Sequence, residues 1–366
     1  MSLFSSYSSS GASLPSSVLS QWLNQFEHPQ LIPQWADTAG LVSVLADGRV
    51  QIRLPFYGQG LQGQLQSWID VQKKIHDDLP EIVVCTQVKT MKTPHGNPVK
   101  GVKNIIAITS AKGGVGKSTT AVNFALALHK LGAKVGLLDA DIYGPSVPLM
   151  LGTKGSKPKV IDNKWMTPIE AHGLFTHSIG YLVDESDAAV WRGPMASKAL
   201  AQILNETLWP DLDYLVIDMP PGTGDIQLTL SQQIPVTSAL IVTTPQDLAL
   251  ADAIKGVNMF DKVGVPVLGI IENMSYHICS NCGHHEDLFG HGGAEKMSQQ
   301  MDLALLAQIP LHIDLRADID NGYPTVAAKP NSEYAQIYIE LAAQVGCRLF
   351  WQGEPASDAI MFTDVT

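Results

Sequence analysis

The sequence predicts an α/β protein: a doubly wound, mostly parallel sheet preceded by a small α+β domain. Three observations predict it. Continuous apolar runs at 135–139, 215–218, 240–243 and 267–271 lack the alternation of half-exposed strands, so both faces of each are covered. Segments of helical spacing lie between these runs, the order of repeated βα units. The run 105–109 leads through a glycine-rich turn into 121–128, where apolar residues keep helical spacing up to Gly132.

Taken in order, the chain opens on ten serines in its first twenty residues, which predicts a disordered leader over 1–15. That terminus has no basic residue and no apolar core, so no signal peptide is expected. Helical spacing at Val18, Leu19, Trp22, Leu23 and Phe26 precedes strand-like runs at 41–45 and 50–55, joined by the turn 46–49. A second amphipathic stretch spans 61–75 and a strand spans 82–88. Together they predict a small α+β domain over 16–90. Cys85 lies in the last apolar run, where a buried structural thiol is expected. Residues 91–103 hold Lys92, Lys100 and Lys103 among Pro94, Gly96 and Pro98, with no acid, a linker composition. The second domain is expected over 104–347, followed by a loosely ordered tail over 348–366.

The chain has 366 residues, 45% of them hydrophobic, enough to bury two cores. Its formal charge of −11 argues against a general binder of nucleic acid or anionic membrane. Residues 1–100 hold seven basic and seven acidic side chains, so the acidic excess lies wholly beyond residue 100. Four cysteines in this length make no disulfide framework and suit a reducing cytoplasm. No apolar run approaches the roughly 18–20 residues of a membrane span. The expectation is a cytoplasmic protein with neither nucleic acid nor membrane as a partner.

Chemistry concentrates first between the run 105–109 and the helical stretch after it. Ala111, Lys112, Gly113, Gly114, Val115, Gly116, Lys117, Ser118 and Thr119 read as a phosphate-binding loop. Its glycines let the backbone curl so that several N–H groups converge on one anion, above the positive end of a helix. Lys117 would reach the β- and γ-phosphates, and the Ser118 hydroxyl would take a Mg²⁺ coordination site. Acids answer this loop from the carboxyl ends of two strands, where open α/β sheets bind ligands. Asp218, ahead of Pro220, Pro221 and Gly222, is placed to hold Mg²⁺ directly or through water. Asp139 ends the run 135–139 and Asp141 follows two residues later; Asp141 is also readable as a helix N-cap or an Asx-turn acid.

Cys279 and Cys282 form a CxxC. A structural zinc would draw two more ligands from His277, His284, His285 and His291, though not at the usual spacing. A thiol–disulfide pair would sit at a helix start, whereas this one lies in a glycine- and histidine-rich stretch. A third use is an iron–sulfur cluster shared by two chains, because a two-fold axis turns two thiolates into four.

A lysine at the start of the loop, Lys112, is more than the general motif asks for. The string KGGVGKS resembles the deviant Walker A loop of a family that includes the Min division-site ATPase, the Par partition ATPases, the nitrogenase iron protein and the Mrp (ApbC-like) iron–sulfur cluster carriers. Residues 209–225 resemble the Mrp signature almost without departure, and Trp191, Arg192, Gly193, Pro194 and Met195 also recur there. The stretch 279–283 followed by 288–293 is similar to the CPxCG…IFGxGG element, with Ser280 in place of Pro and Leu288 in place of Ile. This likeness covers roughly residues 100–345; the order of elements in 16–90 is similar to a small MIP18-like domain. The resemblance implies an ATPase working as a homodimer with ATP, Mg²⁺ and a [4Fe–4S] cluster, which it passes to apo iron–sulfur client proteins. It implies that Lys112 crosses to the partner subunit's nucleotide, that Asp141 orients the attacking water, and that Asn273 contacts adenine. It further implies that Cys279 and Cys282 of two subunits bridge the cluster. Two other uses belong to the wider family: a positioning ATPase on membrane or DNA, which would want a basic helix or patch, and an electron donor that retains its cluster.

Overall fold

The structure, a computed structural model, describes residues 16–76, 79–183, 193–279 and 281–357. The leader 1–15, Trp191, Arg192, Ser280 and residues 358–366 lie outside the described residues.

The described residues begin with a helix, Ser16–Leu23, then strands β1 (Val42–Val44) and β2 (Val50–Leu54), a helix Leu61–Lys73 and strand β3 (Ile82–Thr86). β1 runs antiparallel to β2, and β2 pairs in parallel with β3. Alternation decides the faces: Val50, Ile52 and Leu54 are buried while Gln51 and Arg53 are half-exposed. The helix turns Leu61, Leu65 and Ile69 inward at i, i+4 spacing, against β3.

Eleven further strands follow among the described residues: β4 (Val102–Thr109), β5 (Val135–Asp139), β6 (Val160–Ile161), β7 (Trp165–Met166), β8 (Ile169–Ala171), β9 (Leu174–Ser178), β10 (Leu212–Asp218), β11 (Ser238–Thr243), β12 (Val267–Ile278), β13 (His285–Glu286) and β14 (Leu305–Leu311). The main sheet has the order β13-β12-β11-β4-β10-β5-β9-β8, with β14 on the other side of β12. All its pairings are parallel except those of β8 with β9 and of β13 with β12. β4 sits at the centre, and along it Ile106 and Ile108 enter one core while Ile105 and Ala107 enter the other. The first core is closed by helices Lys117–Lys130 and Glu333–Gln352, the second by Gly193–Glu206 and Asp247–Lys262. Burial on both faces is why these strands read as unbroken apolar runs.

Four details differ from expectation. β12 continues through polar residues to Ile278, well beyond the apolar run, because β14 and then β13 supply its neighbours. The carboxyl-terminal helix runs on to Gln352, since Phe350 and Trp351 pack on Phe56 with ring centroids 6.3 and 6.0 Å away. The stretch 91–103 is fastened at both ends: Met91 N donates to Asn104 Oδ1 at 3.0 Å, Lys92 N to Glu354 O at 2.8 Å, and Lys103 Nζ to Asp213 Oδ1 at 2.7 Å. Cys85 is half-buried, its Sγ 3.6 Å from Ile52 O, because β3 is an edge strand.

Candidate nucleotide site and cysteine hairpin

Between β4 and the helix Lys117–Lys130 the backbone turns back on itself, with Gly114 at φ 81° and Gly116 at φ 82°. A side chain at Gly116 would collide with Asn273, whose Nδ2 would lie 2.0 Å from the added Cβ. No side chain caps the helix start, so its first N–H groups face the loop. Ala111 stands where the general motif GxxxxGK[ST] has its first glycine; its backbone is not left-handed, so alanine fits. The loop is braced from below and beside. Ser110 Oγ donates to Lys112 O at 2.9 Å, Gly222 N donates to Ser110 O at 2.9 Å, and Asn273 Nδ2 donates to Val115 O at 2.8 Å.

Strand register brings the acids together. Asp218 lies opposite Ile108 on one side and opposite Asp139 on the other. Lys117 folds back over this end of the sheet, 6% exposed, with Nζ 2.5 Å from Asp218 Oδ1 and 4.0 Å from Asp141 Oδ2. It also donates to Ser118 Oγ at 3.2 Å. Asp218 is fully buried, and its Oδ2 has no hydrogen-bond partner. An ionised oxygen left unpaired at this depth is costly, and a hydrated divalent cation would satisfy it. The donor set of Ser118 hydroxyl and Asp218 carboxylate therefore fits Mg²⁺, the ion that neutralises charge on β- and γ-phosphates.

Asp139 is the residue the sequence reading undervalued. It is buried, and its oxygens accept from Asp141 N (3.1 Å), Val147 N (3.2 Å) and Ser178 Oγ (3.0 Å). Burial, then the adjacent Asp218 carboxylate, push its carboxyl up to about 7, with Lys117 opposing. Asp139 thus shapes the turn that carries Asp141. Burial also raises the Asp141 carboxyl, against the pull of Lys117. Gln227, whose Nε2 donates to Thr109 Oγ1 at the end of β4, had no signal in sequence because its partner is 118 residues away. Asp141 and Tyr143 face Pro220 and Pro221 across an open cleft of about 980 Å³ that Ser197 and Lys198 also line. Lys112 is exposed at the rim of the loop, and Thr119 is half-buried on the helix's first turn.

The cysteines sit at the far end of β12. His277 pairs with Glu286 and Ile278 with His285; Cys279 N then donates to His284 O at 2.9 Å, and Gly283 N to Cys279 O at 2.8 Å. Gly283, at φ 71°, makes the tight return after Cys282. Cys282 is exposed and Cys279 half-buried. The backbone N–H groups of Asn281 and Cys282 draw the Cys279 thiol below its ordinary range, which favours the thiolate a metal needs. Three of the four nearby histidines are otherwise engaged: His277 Nδ1 with Leu311 O at 3.1 Å, His285 stacked on Tyr276, His291 paired with Asp287. Among the described residues no three His, Cys, Asp or Glu side chains converge to hold a metal ion.

Fold and phosphate loop together define a P-loop NTPase. A family profile described as "ParA: NUBPL iron-transfer P-loop NTPase" matches residues 101–346, and the chain belongs to that family. It is 55% identical over 351 residues to the iron-sulfur cluster carrier protein of Haemophilus influenzae, covering 94% of this chain and 95% of that one. It is 63% identical over 279 residues to the protein of the same name from Escherichia coli K12, covering 76% of each. The iron-sulfur cluster transfer protein NUBPL of Mus musculus is 48% identical over 266 residues, 72% of this chain and 83% of its own. Among solved structures, a nucleotide-binding protein from Archaeoglobus fulgidus in complex with ADP superposes with a TM-score of 0.57 at 35% identity, over 65% of this chain and 93% of that one. The cell division ATPase MinD of Pyrococcus furiosus gives 0.52 at 25% identity, over 66% and 98%.

Proposed function

We propose that this protein is an ATP-hydrolysing carrier that holds an iron–sulfur cluster between two copies of itself and delivers it to apoproteins. The observation that carries the reading is the CxxC hairpin: one exposed and one half-buried thiol, the latter drawn toward thiolate, with no further ligand converging on them among the described residues. Two such pairs across a two-fold axis supply the four thiolates of a [4Fe–4S] cluster. The names of the relatives support the cargo, and the P-loop with Asp218 supports ATP with Mg²⁺ held by Ser118 and Asp218. In this reading Lys117 contacts the phosphates and Lys112, exposed at the loop's rim, reaches the partner subunit's nucleotide. Asp141, braced by Asp139, orients the attacking water. Asn273, whose amide supports the loop at Val115 O, contacts adenine in the same reading. The domain division at 16–90, 91–103 and 104–347 belongs to the same proposal, as does a cytoplasmic location; no helix among the described residues is long and apolar enough to cross a membrane.

Anaerobic reconstitution with iron and sulfide tests it, on wild type and on the Cys279→Ala/Cys282→Ala double variant. The expected result is a visible chromophore on a wild-type dimer, its transfer to an apo-acceptor, and neither in the variant. One zinc per chain without a chromophore, or a loaded particle that is monomeric, would overturn the reading.

A further inference from the structure

We propose that Met274 and Glu272 are positioning residues that make the reactivity of the Cys279/Cys282 hairpin depend on the state of the nucleotide loop. The proposal rests on the ATPase–carrier reading and names how its two sites communicate.

One strand touches both sites. Asn273 on β12 donates from Nδ2 to Val115 O in the phosphate loop at 2.8 Å, and the Gly116 backbone lies so close that no side chain fits between them. Any shift of Val115 or Gly116 as the loop closes on phosphate presses on β12 at this point. The next residue, Met274, takes a left-handed conformation, φ 54°, inside a strand. Non-glycine residues rarely adopt it, and they persist there only where their surroundings fix them. The pairing with β14 is irregular over the same stretch, slipping between Asn273 and His277. Past this kink β12 runs on to Ile278 as the first arm of the cysteine hairpin.

Glu272 fastens the other end of the excursion. It is 1% exposed, and its carboxylate accepts from Ser275 Oγ at 2.5 Å, Gln308 Nε2 at 3.1 Å and Ala294 N at 3.0 Å. Ala294 lies in the first turn of the helix Gly293–Met301, where the chain returns from the cysteines. Both roots of the segment 279–293 are therefore gripped at residues 272–275, beside Val115. A kinked strand held on both sides moves as a stiff arm, and a small displacement at Asn273 swings the thiols at its tip. A joint that bent freely would absorb the same displacement.

The test uses the full chain, reduced and free of cluster, under anaerobic conditions. Iodoacetamide labelling of Cys279 and Cys282 is followed by mass spectrometry without nucleotide, with saturating Mg–ADP, and with a saturating non-hydrolysable ATP analogue. In the wild type the analogue should change the Cys279 labelling rate by about fivefold or more, the lower end of coupling between linked sites. Met274→Gly, which frees the joint, should erase the nucleotide dependence while keeping the melting temperature. Met274→Asn, whose side chain tolerates the left-handed region, should preserve it. Glu272→Gln, which cannot accept from both Ala294 N and the Gln308 amide, should erase it. Equal wild-type rates in all three states, or full nucleotide dependence in Met274→Gly, would overturn the proposal. Reconstitution is run beside it: cluster transfer with unresponsive thiols defeats the positioning role alone, whereas responsive thiols with no cluster defeat the carrier reading alone.

Discussion

At the scale of single residues the site is decided by what Lys117 compensates. Its ammonium is buried against Asp218 and near Asp141, so its removal leaves a carboxylate at full depth without a partner. Breaking one side of such a pair costs about 3–5 kcal/mol. Lys117→Ala should lower the melting temperature as well as abolish ATP binding, and Lys117→Ala/Asp218→Asn should recover part of the stability, as calorimetry would report. Lys112 makes a contrasting prediction. Being exposed, it has no role in holding the fold, and Lys112→Ala should bind nucleotide nearly as wild type while losing hydrolysis by a factor on the order of 10³. Unchanged turnover would remove the trans role. His177, on β9, tests the core. Burial, opposed by the Ser178 backbone, lowers its pKa from 6.5 to about 4. The unfolded chain therefore binds the extra proton first, so the stabilising effect is complete above pH 6.5 and is lost as the pH falls toward 4. Between pH 6.5 and 5 the loss is about 2 kcal/mol. His177→Phe should flatten that part of the stability profile in chemical denaturation at the two pH values. The lysines and acids of the nucleotide site were legible in sequence, because each stands at a strand end or a glycine turn. Asp139's bracing role was not, since its partners Val147 and Ser178 come from other segments.

At the scale of elements, the strand–loop–helix unit is the best-specified part of the molecule. An apolar strand, glycines at positive φ and an uncapped helix start can be read locally, because each depends on residues a few positions apart. Gly116→Ala should eliminate nucleotide binding in equilibrium titration, since a Cβ there meets the Asn273 amide and the left-handed backbone costs about a further 1–2 kcal/mol. β12 is the instructive failure of local reading. Glu272, Asn273 and His277 look like a loop in sequence, yet they are strand, because β14 pairs with them from far along the chain and β13 returns beside His277 as a hairpin arm. A polar sequence takes extended form when its neighbours complete the ladder and its side chains find partners.

At the scale of the whole molecule, the amino-terminal unit is joined to the ATPase core through aromatic packing. Phe56 is fully buried against Phe350 and Trp351, Trp351 Nε1 donates to Gln30 O at 2.9 Å, and Gln59 Nε2 donates to Gln336 Oε1 at 3.2 Å. Tyr57 lies against Gly132, just past the end of the helix that starts at the phosphate loop. Phe56→Ala should destabilise the protein by about 3–5 kcal/mol. Hydrogen exchange should show the loss spreading from β2 into the carboxyl-terminal helix; exchange confined to residues 16–90 would mean that the two units are energetically separate.

By itself the sequence determined the α/β class, the phosphate loop, the acid after β10 and the cysteine pair, all features carried by contiguous residues and their spacing. The tertiary structure decided that Asp139 stands beside Asp218, that Asn273 holds the phosphate loop, and that the cysteines hang from the same strand. Those relations depend on which strands become neighbours and in what register. That choice is made by burial of both sheet faces at once, and no local window contains it.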